Sequence, residues 1–500
     1  MILSVDIGTT TIRACLFDEQ MNLVASSSQV LKVDVSGHHS NTVEIRPDSL
    51  WTQFTEVVGE VVTKAPADTE ISLTFSNQRN TFVIWDKETR QELGNFIVWS
   101  DARGRKQCER LNSSMSLKLL HMAGGVMHSI VGKPRYRAAA TLSFVPSMVV
   151  SRVMSVLEQN KKLRALVDAG RLCCGCIESW LIHKLTSGKT LLTEISNFSS
   201  TGLYDIFVND YSQPVLKLSK FPTSLLLPIS PSAIVGSSLA TSDPSTFGRT
   251  MEVPAVLGDQ QAALFGCGCW KRGDTMISLG TGIYPLVAWQ INDKVVNAAQ
   301  GHDQDTAAIL HWASSIGLFT DVIETSHIAE SIGTSGGVRF VPAFGGLQTG
   351  VNDEGACAGF LGVHRLTKKE HLIRALLESI AFRAVQIVQK IHTELNFANR
   401  KTIRICGGIS ANDFVCMCIA NLLKMNVERV EDSSLVACKG VALLGGIAQK
   451  KWSEDEAYAM IRVERVFEPQ DDGDLVKSYK DWSMAVGRCL RYYQGTSTMA

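Results

Sequence analysis

The sequence predicts an α/β protein made of two related domains. Strand-like and helix-like segments alternate along the chain, a short glycine–threonine motif occurs once in each half, and 500 residues exceed what one hydrophobic core usually organises. Apolar residues make up 45% and charged residues 20%, so enough apolar surface exists to offset chain entropy, and disorder is excluded as the main state. Lys+Arg and Asp+Glu both number 49, for a formal net charge of zero. That balance argues against a nucleic-acid or acidic-membrane partner held by a basic surface.

The elements follow in chain order. Residues 2–18 read ILSVD-IGTTT-IRACLFD, two apolar β-branched runs around a Gly-Thr turn, which predicts a β-hairpin. Asp6 interrupts the first run too early for a secretory signal, and no run approaches the roughly 18–20 apolar residues of a membrane span. The 13 cysteines are scattered and odd in number, which fits reduced thiols in a cytoplasmic protein. Cys173, Cys174 and Cys176 have no second pair at zinc spacing and read as small buried hydrophobes. Residues 70–75 and 95–99 read as strands, and the Pro/Ser-rich stretch 220–243 as loops near a domain end. A boundary near Val253 gives domains 1–253 and 254–500. The strand 253–257 then leads through Gly258 and Asp259 into a helix over 260–265. Residues 275–289, TMISL-GTG-IYPLVAW, repeat the first pattern and predict a second hairpin. Residues 371–391 carry a helical apolar face through Leu372, Leu376, Ile380, Ile387 and Ile391. A strand over 402–406, the turn Gly407-Gly408-Ile409-Ser410 and a helix over 414–423 complete the set.

Three glycine turns, two with threonine, suggest phosphate chemistry. Such turns offer clustered backbone N–H groups and a hydroxyl to phosphate oxygens without a cationic side chain. Two other glycine motifs are false starts. Gly188-Lys189-Thr190 lacks the first P-loop glycine, where His183 stands, and Gly266-Cys267-Gly268 meets Lys271 where a dinucleotide fingerprint needs its third glycine. Asp6, ending a strand beside the Gly8-Thr9-Thr10-Thr11 turn, reads either as a carboxylate holding Mg²⁺ or as a turn aspartate bonded to backbone N–H groups. Asp259 reads either as a helix cap or as a general base.

Taken in order, these motifs resemble the FGGY carbohydrate kinases and, within them, a divergent glycerol kinase branch. The matching features are Asp6-Ile7-Gly8-Thr9-Thr10, Asn77-Gln78-Arg79, Trp99-Ser100-Asp101-Ala102-Arg103, Gly258-Asp259-Gln260-Gln261, Gly280-Thr281-Gly282 and Gly407-Gly408. Weaker links are Glu178-Ser179-Trp180-Leu181, Thr193-Glu194-Ile195-Ser196-Asn197 and Arg374-Ala375-Leu376-Leu377-Glu378. The resemblance implies two actin-like, ribonuclease-H-like ATPase domains flanking a catalytic cleft, with a polyol held mainly by the first and ATP mainly by the second. It places Thr9, Thr10, Thr11, Arg13, Thr281, Ala307, His311, Gly408 and Asn412 at the nucleotide and Asp6 at Mg²⁺. Arg79, Asn80, Trp99, Asp259 and Gln260 fall at the substrate, with Asp259 as general base. The implied reaction is ATP-dependent phosphorylation of glycerol to sn-glycerol 3-phosphate. Its partners are then small molecules, with no nucleic acid, no membrane span, and room for a homo-oligomer.

Several positions depart from the family pattern. Asn80 replaces a glutamate after Arg79, and Ser147, after Pro146, replaces a tyrosine; both changes weaken contacts expected for glycerol. Ala307 and His311 stand where a glycine and a glutamine are usual, with a surface-helix role for His311 equally open. Gly350 replaces a proline, while Asp353 is retained. Trp312 follows Thr281 by only 31 positions, so the segment after the Gly-Thr-Gly turn is shortened. These departures keep two alternatives in play: a related sugar kinase acting on a pentulose or other polyol, and a catalytically weakened nucleotide-binding scaffold.

Overall fold

The computed structural model describes residues 1–36, 42–66, 69–277, 284–300, 306–347, 350–353, 355–395 and 403–494. The chain divides into two compact units. The first comprises Met1–Ala263, Leu286–Asn297 and Ala437–Met460; the second comprises Leu264–Pro285, Ala298–Val436 and the chain from Ile461 onward.

The first unit is organised by a five-stranded sheet whose order is Val256–Gly258, Ser72–Asn77, Ile2–Ile7, Thr11–Phe17, Leu23–Val30. The first three strands run parallel and the hairpin and its extension run antiparallel. Strands buried on both faces read as continuous apolar runs, and five of six residues in Ile2–Ile7 and all six in Ser72–Asn77 are buried. The helix Pro47–Val62 covers one face. Proline at its first turn fits the helix start, and Leu50, Phe54, Val57, Val58 and Val61 recur at helical spacing on its buried side. A second sheet of the unit runs Asp34–Ser36, Thr42–Ile45, Phe96–Ile97, Phe82–Asp86, Leu172–Cys176. The three cysteines of its last strand are core residues, and burial pushes the Cys173 thiol up to about 12.

The second unit holds a four-stranded sheet: Thr275–Ile277, Ile403–Ile405 and Val427–Val430 in parallel, then Val463–Phe467 antiparallel. The helices Lys369–Leu395, Asp413–Leu423 and Gly473–Cys489 share its core, centred on Leu376, Ile380, Phe382, Ile405, Ile419 and Trp482. The apolar face expected over 371–391 is thus a packing face.

The expected second hairpin is not formed among the described residues. Thr275–Ile277 pairs with Ile403–Ile405 in the second unit. Tyr284–Ile291 instead folds back on Lys294–Gln300, and its residues from Leu286 on belong to the first unit. The apolar residues Leu286, Val287, Ala288 and Trp289 find burial there. Val287 N–H donates to Ser199 (3.1 Å), Gln290 N–H donates to Ser232 (3.0 Å), and Gln261 Nε2 donates to Val287 O (3.2 Å). Asn292, with φ of 51°, supplies the left-handed turn residue before Lys294. Thr281 and its flanking glycines lie outside the described residues.

Close backbone approach makes one glycine of the first unit indispensable. A Cβ on Gly446 would lie 2.0 Å from the Trp452 ring, whose Nε1 donates to Leu443 O (3.1 Å). Gly446→Ala is expected to destabilise the protein by about 1–3 kcal/mol through overpacking. Chemical denaturation checks this, and an unchanged midpoint would contradict it.

Candidate active site

Strand register assembles the site. Ile7 pairs with Asn77, and Asn77 pairs with Gly258, so three parallel strands end together. Their carboxyl ends deliver Asp6 and the Gly8 turn, then Gln78, Arg79 and Asn80, then Asp259 and Gln260. This is the edge at which open parallel sheets present ligand sites.

The hairpin turn closes by a Gly8 N–H to Thr11 O bond of 3.0 Å. A Cβ on Gly8 would stand 3.2 Å from that same carbonyl, a tight contact. Thr9 and Thr10 are exposed at the tip, Thr11 is half-buried, and Arg13 lies across the register from Asp6. Gln78 locks the turn to its neighbour strand: its backbone N–H donates to Ile7 O (2.8 Å) and its Nε2 to Gly8 O (3.1 Å). Thr81 donates to Gln78 Oε1 and accepts the backbone N–H of Trp99, whose Nε1 donates to Thr9 Oγ1 at 3.3 Å. The turn and the Trp99 wall are therefore one hydrogen-bonded frame.

Arg79 and Asp259 form an ion pair across 3.6 Å, with side-chain exposures of 10% and 24%. Burial raises the Asp259 pKa, opposed by the Arg79 charge and by the Gln260 N–H bonded to its Oδ1 at 2.7 Å. Nε and Nη1 of Arg79 are buried and without a hydrogen-bond partner among the described residues. Buried donors of this kind mark a place where a ligand oxygen completes the bonding. Gly258 makes room for the arginine, because a Cβ there would lie 2.8 Å from Arg79 Cδ and 2.7 Å from Gln261 Oε1.

Asp6 is half-buried and accepts from Ser76 at 2.7 Å. Burial pushes its pKa up to about 6; the Ser76 bond and Arg13 oppose this, and the Asp259 carboxylate adds to it. Asp6 and Asp259 thus sense each other electrostatically. A hard carboxylate oxygen at Asp6, beside the glycine–threonine turn, fits Mg²⁺, which takes one or two carboxylates plus substrate phosphates.

Three residues with no role read from the sequence support this arrangement. Glu194 is buried and accepts from the backbone N–H and side chains of Ser196 and Asn197, and from Ser232. Ser196 in turn accepts the Gly258 N–H (2.9 Å) and Asn197 accepts from Asn77 (3.0 Å), so one carboxylate anchors two of the three strand ends. Arg152, fully buried, donates to the carbonyls of Val98, Asn80 and Ser147, tying three loops together. Burial lowers its pKa to about 10, so it stays charged at neutral pH. A lone arginine amid VVSRVMSVL was its only sequence signal. Ser76 carried none.

The remaining expected residues are placed as follows. Asn80 has φ of 62°, a left-handed position that asparagine tolerates, and its Oδ1 accepts from Ser200 at 3.0 Å. Gln260 is half-buried beside Asp259. In the second unit, Gly407 takes φ of 80° and Gly408 opens a short 3₁₀ turn. Asn412 is buried, caps Asp413–Leu423 by accepting from Val415 N–H, and donates to Thr325. Ala307 and His311 fall in the helix Thr306–Ser315, with His311 exposed and next to Trp312, which stacks on Phe340. The geometry unites the first-unit residues in one site.

Two α/β units and, in the first, a carboxylate–arginine pair beside a glycine–threonine turn suit a phosphoryl-transfer enzyme. The family models for the N-terminal and C-terminal domains of the FGGY family of carbohydrate kinases match residues 1–266 and 285–449. The chain belongs to that family and is a kinase. It is 35% identical to "Glycerol kinase 5" of Bos taurus, over 99% of this chain and 96% of the relative. It is 30% identical to "Glycerol kinase" of Parabacteroides distasonis, over 97% of each. Among solved structures, Plasmodium falciparum glycerol kinase with ADP superposes with a TM-score of 0.85 at 24% identity over 98% of each chain. A ligand-bound xylulose kinase from Lactobacillus acidophilus superposes at 0.77 and 17% identity over 99% and 97%. The chain is therefore a glycerol-kinase-like FGGY kinase.

Two outcomes follow from the site. Gly258→Ala should displace the Arg79 guanidinium and lower kcat/KM for the phosphoryl acceptor by roughly 10–100-fold. Steady-state kinetics on the folded variant measures this. Asp6 has its folded pKa raised above the ordinary 3.8, so ionising it costs the folded state stability as pH rises from about 4 through about 6. Asp6→Asn should therefore raise stability at pH 8 by about 2–3 kcal/mol at most, and give no gain below pH 4. Thermal unfolding at both pH values tests it, and an equal gain at both would contradict the assignment.

Proposed function

We propose that the chain catalyses ATP-dependent phosphorylation of glycerol to sn-glycerol 3-phosphate, with Asp259 as general base. The Arg79–Asp259 pair carries this reading: a half-buried carboxylate next to orphaned guanidinium donors suits a hydroxyl that must be held and deprotonated. Phosphoryl transfer asks the protein mainly for positioning and charge stabilisation. Arg79 donates to the acceptor's oxygens, and Gln260 adds a second polar contact. Trp99 forms an apolar wall against the carbon chain. Asp259 takes the proton of the attacking hydroxyl as the oxygen–phosphorus bond forms, and ADP leaves with the electrons of the broken bond. Proton acceptance requires hydrogen-bond reach first and tuned basicity second.

Thr9, Thr10, Thr11 and Arg13 are assigned to the nucleotide phosphates. Thr281, Ala307, His311, Gly408 and Asn412 are assigned to its second-unit side, Asn412 through its backbone neighbourhood because its side chain is already bonded. ADP in the Plasmodium falciparum relative supports ATP as the phosphoryl donor. Asp6 would hold Mg²⁺, which when bound supplies charge neutralisation to the transferring phosphoryl group. The polyol then falls mainly to residues 1–253, joined by Asp259 and Gln260, which fold with the first unit, and the nucleotide mainly to residues 254–500, joined by Thr9, Thr10, Thr11 and Arg13. A cytoplasmic location accords with 13 cysteines that are all free thiols.

A pentulose or other polyol is the second reading, and Asn80 favours it. Its Oδ1 is occupied by Ser200, so the side chain offers amide N–H donors where a family glutamate would accept from glycerol hydroxyls. The shortened segment after Thr281 favours a weakened nucleotide-binding scaffold instead. An ADP-release assay over glycerol, dihydroxyacetone, pentuloses and pentitols, with calorimetry for ATP binding, separates these. Glycerol should be the preferred acceptor. A pentulose far ahead of glycerol would overturn the substrate, and ATP binding without any turnover would overturn the enzyme. Asp259→Asn is expected to lower kcat by about 10²–10⁴-fold while leaving ATP affinity nearly unchanged. An unaffected kcat would remove Asp259 from the mechanism.

A further inference from the structure

The helix Met115–Val131 carries an apolar face that nothing among the described residues covers. Its buried contacts are confined to Leu117 and Gly124. At Gly124 the following helix, Pro134–Ala140, crosses so closely that a Cβ would stand 2.7 Å from Ala140 N and 2.9 Å from Tyr136 O. This contact fixes which side of the helix faces the protein. At 3.6 residues per turn, Met115, Leu119, Met122, Val126 and Ile130 fall within an arc of about 80° on the opposite side. Their exposures are 69%, 54%, 64%, 57% and 74%. Scattered exposed apolar residues are ordinary, but five on one helical stripe form a contiguous surface that signals an interaction.

Local charge identifies what the stripe meets. The chain is neutral overall, yet residues 110–157 contain no aspartate or glutamate. Lys118, Lys133 and Arg137 are exposed around the helix pair and have no ion-pair partner among the described residues. Arg110 and Arg135 add further positive charge, partly countered by Glu158 and Asp205. His121 and His128 lie on the side turned toward the protein, each bonded to a backbone carbonyl, of Leu142 and Lys133 respectively. An apolar stripe rimmed by lysine and arginine, with no carboxylate within residues 110–157, matches an anionic lipid surface on both counts, greasy core and charged headgroups. No helix among the described residues is long and apolar enough to cross a membrane, and a 17-residue helix is suited to lie in the interface plane.

We propose that the Met115–Val131 helix docks the enzyme on an anionic bilayer, with Met122, Val126 and Ile130 entering the acyl boundary and Lys118, Lys133 and Arg137 at the headgroups. The substrate site is built from other segments, so docking and turnover are separable.

Flotation of the full-length protein with phosphatidylcholine vesicles, with and without phosphatidylserine, tests this. Binding should require phosphatidylserine and weaken with salt. Met122→Glu/Ile130→Glu should abolish it while kinase activity in solution stays unchanged. Lys118→Glu and Lys133→Glu should each reduce it roughly fivefold or more. Absence of binding to phosphatidylserine vesicles would overturn the proposal, as would unimpaired binding by the double glutamate variant. A dimer in sedimentation that the double variant dissolves, without vesicle binding, would overturn it in favour of a second copy of this chain as the occupant.

Discussion

The site depends on the shared register of three parallel strands. Because Ile7, Asn77 and Gly258 stand side by side in the ladder, the residues just past each strand converge without any long loop to position them. A shift of one residue in any strand would turn its side chains to the other sheet face and remove its contribution. The surrounding hydrogen bonds read as devices that hold this register. Glu194 reaches two strand ends through Ser196 and Asn197, and Gln78 ties the third to them through Gly8. Buried polar networks of this kind stabilise only when fully satisfied, which places Glu194 among the residues least tolerant of change.

Within that frame, two carboxylates share one small region and are kept apart in role by their neighbours. Asp259 has an arginine beside it and a backbone N–H on one oxygen; Asp6 has Ser76 and, across the ladder, Arg13. The arginine favours the charged form of Asp259 that its proposed role as base requires. Asp6, pushed toward neutrality by burial and by its twin, gains most from a bound cation. Zero net charge over the whole chain is compatible with the proposed reaction, in which turn N–H groups, hydroxyls and a metal would meet the phosphate groups. The same average hides the acid-free stretch around Met115–Val131, where field and apolar surface coincide.

Much of this was legible in the sequence, for reasons tied to particular residues. A Cβ on Gly258 would clash with Arg79 and Gln261, so glycine at that place in a short motif is readable as a string. The long helix Lys369–Leu395 announced itself by periodicity, since burial on one face repeats every turn. What escaped reading was long-range or relational. Arg152 serves three loops through carbonyls, a pattern with no linear signature. Ser76 matters only because Asp6 lies across the ladder from it. The misread second hairpin has a similar cause: its pattern of apolar runs around a turn was present, but Leu286–Trp289 found burial in the first unit and Thr275–Ile277 found a parallel partner more than a hundred residues away. Local pattern specified strands there, and tertiary packing chose the pairing.

The central claim is that Arg79 and Asp259 act as one unit on the acceptor hydroxyl. A double-mutant cycle on kcat/KM with Arg79→Ala and Asp259→Asn measures that directly. The account predicts strong non-additivity, the double variant being little worse than Asp259→Asn alone. Losses that simply multiply would contradict it.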